Sequence, residues 1–175
     1  RGKTAGLIGF GGIARQLARL LAPFDCRLKA YDVCWDDAAA EALGVEFGEL
    51  EEIFSTSDII SLHLPLLPST KHMICKETLE MMKRECILIN TSRGGIVNTE
   101  DLCDALRDQV IAGAGLDVHE LEPVPADYRP FLEPRLILSP HVASATREAA
   151  EAMIQEAVNE VIRFYEEGAP AHLVC

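Results

Sequence analysis

The stretch TAGLIGFGGIARQLARLL, residues 4–21, runs from a short apolar β-rich segment through a glycine-rich turn into a helical pattern. Ile13, Leu17, Leu20 and Leu21 fall on one helical face, and Pro23 marks the exit. A strand that turns directly into a helix constrains everything after it. The helix must carry the chain back over the sheet, so the next strand runs parallel to the first.

The rest of the chain repeats this alternation. CRLKAYD (26–32), VEF (45–47), DIISLHLP (58–65), CILINT (86–91), VIAGAGLDV (110–118) and RLILSP (135–140) read as further strands. Helical patterns occupy Ala38–Leu43, closed by Gly44, a turn around Leu50, Ile53 and Phe54, and Lys76–Met82. Another covers Glu100–Gln109, capped by Asn98 or Thr99, with Leu102, Ala105 and Leu106 facing inward. The last, Thr146–Glu167, puts Ala150, Ile154, Ala157, Val161 and Tyr165 on one stripe, a core or interface face, and Gly168 and Pro170 stop it. The expected class is α/β: a doubly wound parallel sheet of the Rossmann type with helices on both faces. No repeat, low-complexity tract or second domain is visible, so residues 1–175 read as one domain.

Composition narrows the partners. A formal net charge of −12 argues against nucleic acid, which requires clustered Lys and Arg. No run approaches the roughly 20 apolar residues of a membrane span. The six cysteines are scattered without C-x-x-C spacing or grouped histidines, which argues against a metal site and for reduced thiols in a cytoplasmic protein. Because the chain starts at Arg1 rather than Met, it reads as a piece of a longer protein.

The glycine turn carries the first chemical signal. Gly9-x-Gly11-x-x-Ala14 lies between the first strand and the first helix. In such a turn the first glycine permits the bend, the second lets backbone approach a pyrophosphate, and the third position needs only a small residue. Phosphates would sit on the free N–H groups at the helix start, with Gly9, Gly11, Gly12 and Ile13 as contact residues. Asp32, 21 residues after Gly11, ends the second strand near the spacing of about 20 expected for an acid that binds ribose hydroxyls. A 2′-phosphate would meet repulsion there, and no Lys or Arg follows at once, so NAD is favoured over NADP.

Ligands of an open α/β sheet bind outside the carboxyl ends of its strands. Arg93 follows LINTS, Glu122 lies just past AGLDV, and His141 follows LILSP. Together these three offer what reduction of a 2-keto acid needs. Arg93 is a planar cation for a carboxylate, His141 a proton donor, and Glu122 an acid that would orient and charge the imidazole. His119 reads as a bystander, His63 as a packed histidine, His72 and His172 as loop residues, and Trp35 as an adenine neighbour or a surface turn.

GLIGFGGIARQLARLL, AYD, SLHLPLLPSTKHMI, INTSRGGIVN, AGLDVHELEP and LSPHVASATREA together resemble the D-isomer-specific 2-hydroxyacid dehydrogenases over residues 2 to about 170. The resemblance implies the NAD-binding domain of such an enzyme, a homodimer acting on a small 2-hydroxy or 2-keto acid. Its substrate-binding domain would be absent from this chain. It implies Arg93 as the substrate arginine, Glu122 and His141 as the catalytic pair, and Asp32 on the adenosine ribose. Thr91, Ser92 and Asp117 would lie near the nicotinamide, while Pro65 and Thr70 would border the cleft. Ala14 departs from the family's usual glycine. PLLPST is similar to phosphoglycerate dehydrogenases, and glyoxylate or hydroxypyruvate reductases fit nearly as well. The same motifs occur in NAD-sensing corepressors of the C-terminal-binding class, which is the alternative function.

Overall fold

The computed structural model describes residues 1–168. Pro170 and His172 of the reading above lie outside the described residues. The chain divides into two compact units, Arg1–Pro140 and His141–Cys175. The first holds the whole sheet; the second contains one long helix.

Seven strands, all parallel, form the sheet: β1 (Thr4–Ile8), β2 (Arg27–Tyr31), β3 (Val45–Phe47), β4 (Ile59–Leu62), β5 (Ile87–Asn90), β6 (Gly113–Leu116) and β7 (Leu136–Leu138). Their spatial order is β3-β2-β1-β4-β5-β6-β7. The chain therefore winds outward from β1 in one direction and from β4 in the other. Between β1 and β4, paired from Ala5↔Ile59 to Ile8↔Leu62, the winding reverses, and their following loops diverge into a crevice.

The helices of the first unit are α1 (Gly12–Leu21), α2 (Asp37–Leu43), α3 (Leu50–Thr56), α4 (Lys76–Met81) and α5 (Thr99–Arg107). Asn98 caps α5, its Oδ1 accepting from the backbone N–H groups of Glu100 and Asp101. Gly44 closes α2 in the left-handed conformation. One core layer joins Ala5, Leu7, Leu28 and Ala30 to Ala14, Ala18 and Ala40 of α1 and α2. The other joins Ile8, Ile60, Leu62 and Leu88 to Ile53 of α3, Leu79 of α4 and Leu102 of α5. Burying an aliphatic side chain in such a layer contributes about 1.5–3 kcal/mol.

Two packing expectations change. The buried residues of α1 are Ala14 and Ala18, whereas Ile13 and Leu20 are 76% and 61% exposed. Leu17 and Leu21 of the expected face are partly buried against the same layer, so the face is displaced toward Ala14 and Ala18 rather than reversed. The second unit carries α6 (Arg147–Glu167), capped by Thr146. No α6 residue is buried, and Ile154, Val161 and Tyr165 of the expected stripe are exposed. The stripe is thus not a core face in this chain.

No helix among the described residues is long and apolar enough to cross a membrane. Five described cysteines, at 26, 34, 75, 86 and 103, are free thiols. No group of three or more His, Cys, Asp or Glu side chains is gathered to hold a metal ion among the described residues.

Candidate functional site

The turn after β1 is built so that no side chain occupies its outer surface. Gly9 has φ +95°, and a Cβ there would lie 2.5 Å from the His63 carbonyl oxygen, so neither backbone nor space admits another residue. At Gly11 and Gly12 a Cβ would meet no heavy atom within 4 Å. No side chain caps the start of α1, and no acid lies in its first turn. Its free N–H groups and positive dipole end therefore open onto exposed backbone that no side chain covers, a cradle suited to phosphate.

Asp32, just past β2, reaches back to this turn. Its Oδ2 accepts from the Phe10 N–H at 2.6 Å and its Oδ1 from the Cys34 N–H at 2.8 Å. The carboxylate is thereby fixed beside the cradle, half-buried, with acceptor capacity left for ribose hydroxyls. Trp35 is not a loose surface turn: its ring stacks on Phe10 at 5.1 Å and meets Phe47 edge-on.

At the crevice, Ile13 from the first turn of α1, His63, Leu64 and Pro65 from the β4 loop, and Thr91, Ser92 and Arg93 from the β5 loop line one open cleft. Five of these were marked from sequence; His63 and Leu64 were not. Burial lowers the pKa of His63 to about 4 and leaves its Nε2 without a hydrogen-bond partner. Thr70 does not line the cleft. It is buried behind it, its hydroxyl donating to the Pro65 carbonyl at 2.7 Å and accepting from the Leu67 N–H at 2.8 Å. Its effect on the cleft passes through Pro65.

The turn that opens with Arg93 is organised by Asn90, which sequence reading overlooked. Fully buried at the end of β5, its Oδ1 accepts from the Ser92 N–H and hydroxyl, and its Nδ2 donates to the Arg93 carbonyl at 2.9 Å. Arg93 itself is exposed and donates to the Ser92 carbonyl, with no carboxylate partner among the described residues. A Cβ on Gly94 would overlap the His119 carbonyl, so the arginine turn is pressed directly onto the loop that follows β6.

That loop carries Asp117 and Glu122. Asp117 is buried and accepts from the Ser139 hydroxyl at 2.5 Å. Glu122 is exposed, its Oε1 accepting from the His119 N–H at 2.9 Å. His119 is buried; its Nε2 lies 2.9 Å from the Ser139 carbonyl and its ring meets Tyr128 edge-on. His72 lies 2.5 Å from Glu120, whose other oxygen accepts from the Thr99 N–H. Burial opposes ionisation of Glu120, but those bonds outweigh it and hold its pKa below the usual carboxylate value. His141 opens the second unit, exposed, with φ +55°.

Residues 1–143 match the family model described as D-isomer specific 2-hydroxyacid dehydrogenase, NAD binding domain. A glyoxylate reductase of Korarchaeum cryptofilum is 41% identical over 173 residues, 99% of this chain and 52% of that protein. A glycerate dehydrogenase of Methylorubrum extorquens is 40% identical over 176 residues, 99% of this chain and 53% of that protein. The chain thus spans about half the length of the curated relatives it matches. Among solved structures, a glyoxylate reductase from Paecilomyes thermophila superposes with a TM-score of 0.90 at 31% identity, covering 99% of this chain and 52% of that one. A D-lactate dehydrogenase with NAD+ from Lactobacillus jensenii gives 0.84 at 34% identity, covering 99% and 55%. These similar chains bear enzyme names, which favours the dehydrogenase over the corepressor alternative. The cradle, the ribose acid and the crevice fit a dinucleotide, and the chain belongs to the D-isomer specific 2-hydroxyacid dehydrogenases, as a member of their NAD-binding domain family.

Proposed function

We propose that this chain is the cofactor half of a cytoplasmic, homodimeric NAD-dependent enzyme that interconverts a small 2-keto acid and its 2-hydroxy acid. The glyoxylate and hydroxypyruvate class is preferred over phosphoglycerate, because the similar proteins are named glyoxylate reductase and glycerate dehydrogenase. The observation that carries the reading is the cleft in which Ile13, Pro65, Thr91, Ser92 and Arg93 meet at the β1–β4 crevice. A substrate-binding domain, outside this chain, would complete the pocket.

Bound nicotinamide would supply the hydride chemistry. Residues of the chain do the rest. Gly9, Gly11, Gly12 and Ile13 seat the pyrophosphate on the α1 N-terminus, and Asp32 holds the adenosine ribose. Thr91, Ser92 and Asp117 would hold the nicotinamide end, and Pro65, tied by the Thr70 hydroxyl, would border the same cleft. Arg93 pairs with the substrate carboxylate and draws charge toward the adjacent carbonyl oxygen. His141 gives that oxygen its proton, and Glu122 favours the imidazolium that carries it.

Calorimetric titration of the chain with NADH and NADPH tests the cofactor part. NADH should bind more tightly, and equal affinities would refute the role of Asp32. Turnover is tested in the complete polypeptide encoded around this chain, with glyoxylate or hydroxypyruvate and NADH. His141→Asn should lower kcat at least a hundredfold while NADH affinity stays within a few-fold. Unchanged kcat would remove His141 from the chemistry.

A further inference from the structure

Asp32 is not the only charged residue at the adenosine corner. Although no cation follows it in sequence, α1 brings one there. Arg15 donates from Nε to the Phe10 carbonyl at 2.9 Å, and its guanidinium carbon lies 5.2 Å from the centroid of the Phe10 ring. Asp32 accepts from the N–H of the same residue. The ribose acid and the guanidinium are thus anchored on the two backbone groups of Phe10. A dianionic 2′-phosphate set at Asp32 would fall within the roughly 8–10 Å over which such charges interact at physiological salt.

The guanidinium is already engaged. Its Nη1 lies 2.9 Å from Asp36 Oδ2, with the side chains 29% and 41% exposed. Asp36 cannot easily release it, because it is also the N-cap of α2: its Oδ1 accepts from the Ala39 N–H at 3.0 Å. One carboxylate therefore closes a helix with one oxygen and neutralises a cation with the other. Phe10, held between Asp32, Arg15 and the Trp35 ring, keeps the three groups in register.

We propose that Asp36 is a cofactor-specificity residue: by pairing Arg15 it withholds from a 2′-phosphate a cation held near the ribose acid, so that preference for NAD is set by Asp32 and Asp36 together. This rests on the reading of that corner as the adenosine site. The test is calorimetric affinity of the chain for NADH and NADPH. Asp36→Asn keeps an oxygen for the α2 cap and removes the charge. Asp36→Ser does the same with a shorter side chain, and circular dichroism verifies the fold of each. The ratio of NADPH to NADH affinity should rise about three- to fivefold in both variants, the upper part of the scale of one partly exposed charge pair. In Arg15→Gln/Asp36→Asn the gain should vanish.

An unchanged ratio in folded Asp36→Asn would overturn the inference. So would a gain that survives loss of Arg15, since it would then be a general effect of net charge. Failure of the parent chain to bind NADH at all would instead overturn the cofactor reading, and this inference with it.

Discussion

His63 should make the chain acid-sensitive as pH falls below about 6.5. Burial lowers the imidazole pKa from 6.5 to about 4, and Nε2 has no partner to offset the loss of water. The unfolded chain binds a proton near pH 6.5 that the folded chain refuses until about pH 4. Stability contributed by the neutral ring is therefore complete above pH 6.5 and is lost as pH falls toward 4. At pH 5 the difference amounts to about 2 kcal/mol, and near pH 4 it approaches about 3 kcal/mol. For a chain of this size about 2 kcal/mol moves the melting temperature by roughly 4–8 °C.

The measurement is thermal unfolding followed by circular dichroism between pH 7.5 and 5, comparing the parent with His63→Phe, which fills similar space and does not titrate. The other histidines and all the carboxylates are common to both proteins, so the difference between the two curves isolates His63. The parent should lose about 2 kcal/mol more than the variant across that range. Parallel curves would refute the argument, as would a nuclear magnetic resonance titration placing the ring near pH 6.5.

Three further outcomes follow from the geometry. Gly94→Ala should destabilise the chain by about 3 kcal/mol in urea unfolding, since the new methyl overlaps the His119 carbonyl and must part the arginine turn from the acid loop; a change under about 1 kcal/mol would show that the two loops yield freely. Asn90→Ala should cost about 2–3 kcal/mol by the same assay, because the Arg93 carbonyl and the Ser92 N–H lose their buried partner together. Trp35, the only tryptophan, stacks beside the Asp32 loop. Its emission should therefore fall on NADH addition by energy transfer to the nicotinamide, and Trp35→Phe should abolish that signal.

The sheet was legible because each strand is an apolar run with its own punctuation. VEF was assigned correctly to its three residues, and the helices after it were placed within a residue or two at either end. VIAGAGLDV was read too long: only Gly113–Leu116 pair as strand, since the Val110 N–H is still donated to the Ala105 carbonyl of α5 before pairing begins. The face of α1 was misjudged for a physical reason. Helical periodicity ranks residues by hydrophobicity, whereas close packing on the sheet ranks them by size, and Ala14 and Ala18 won over Ile13 and Leu20. Arg15 and Asn90 escaped notice because their significance lies in partners distant in the fold or in backbone groups, neither of which a motif displays.

Three polar residues at the strand ends share one physical role, although only Asn90 among them escaped the sequence reading. Asn90 ties Ser92 to Arg93, Thr70 ties Pro65 to Leu67, and Asp32 ties Phe10 to Cys34, each side chain bonding the backbone at two points of a loop. Loops at strand ends would otherwise spend part of any binding energy on becoming ordered. Here that ordering is completed during folding, so the cleft is shaped before a ligand arrives. Arg93 is the exception within its own turn. Its backbone is held by Asn90, but its guanidinium has only the neighbouring Ser92 carbonyl and faces no carboxylate among the described residues. Fixing the backbone while leaving the charge uncompensated is the arrangement expected of a group whose partner is an incoming anion rather than another part of the chain.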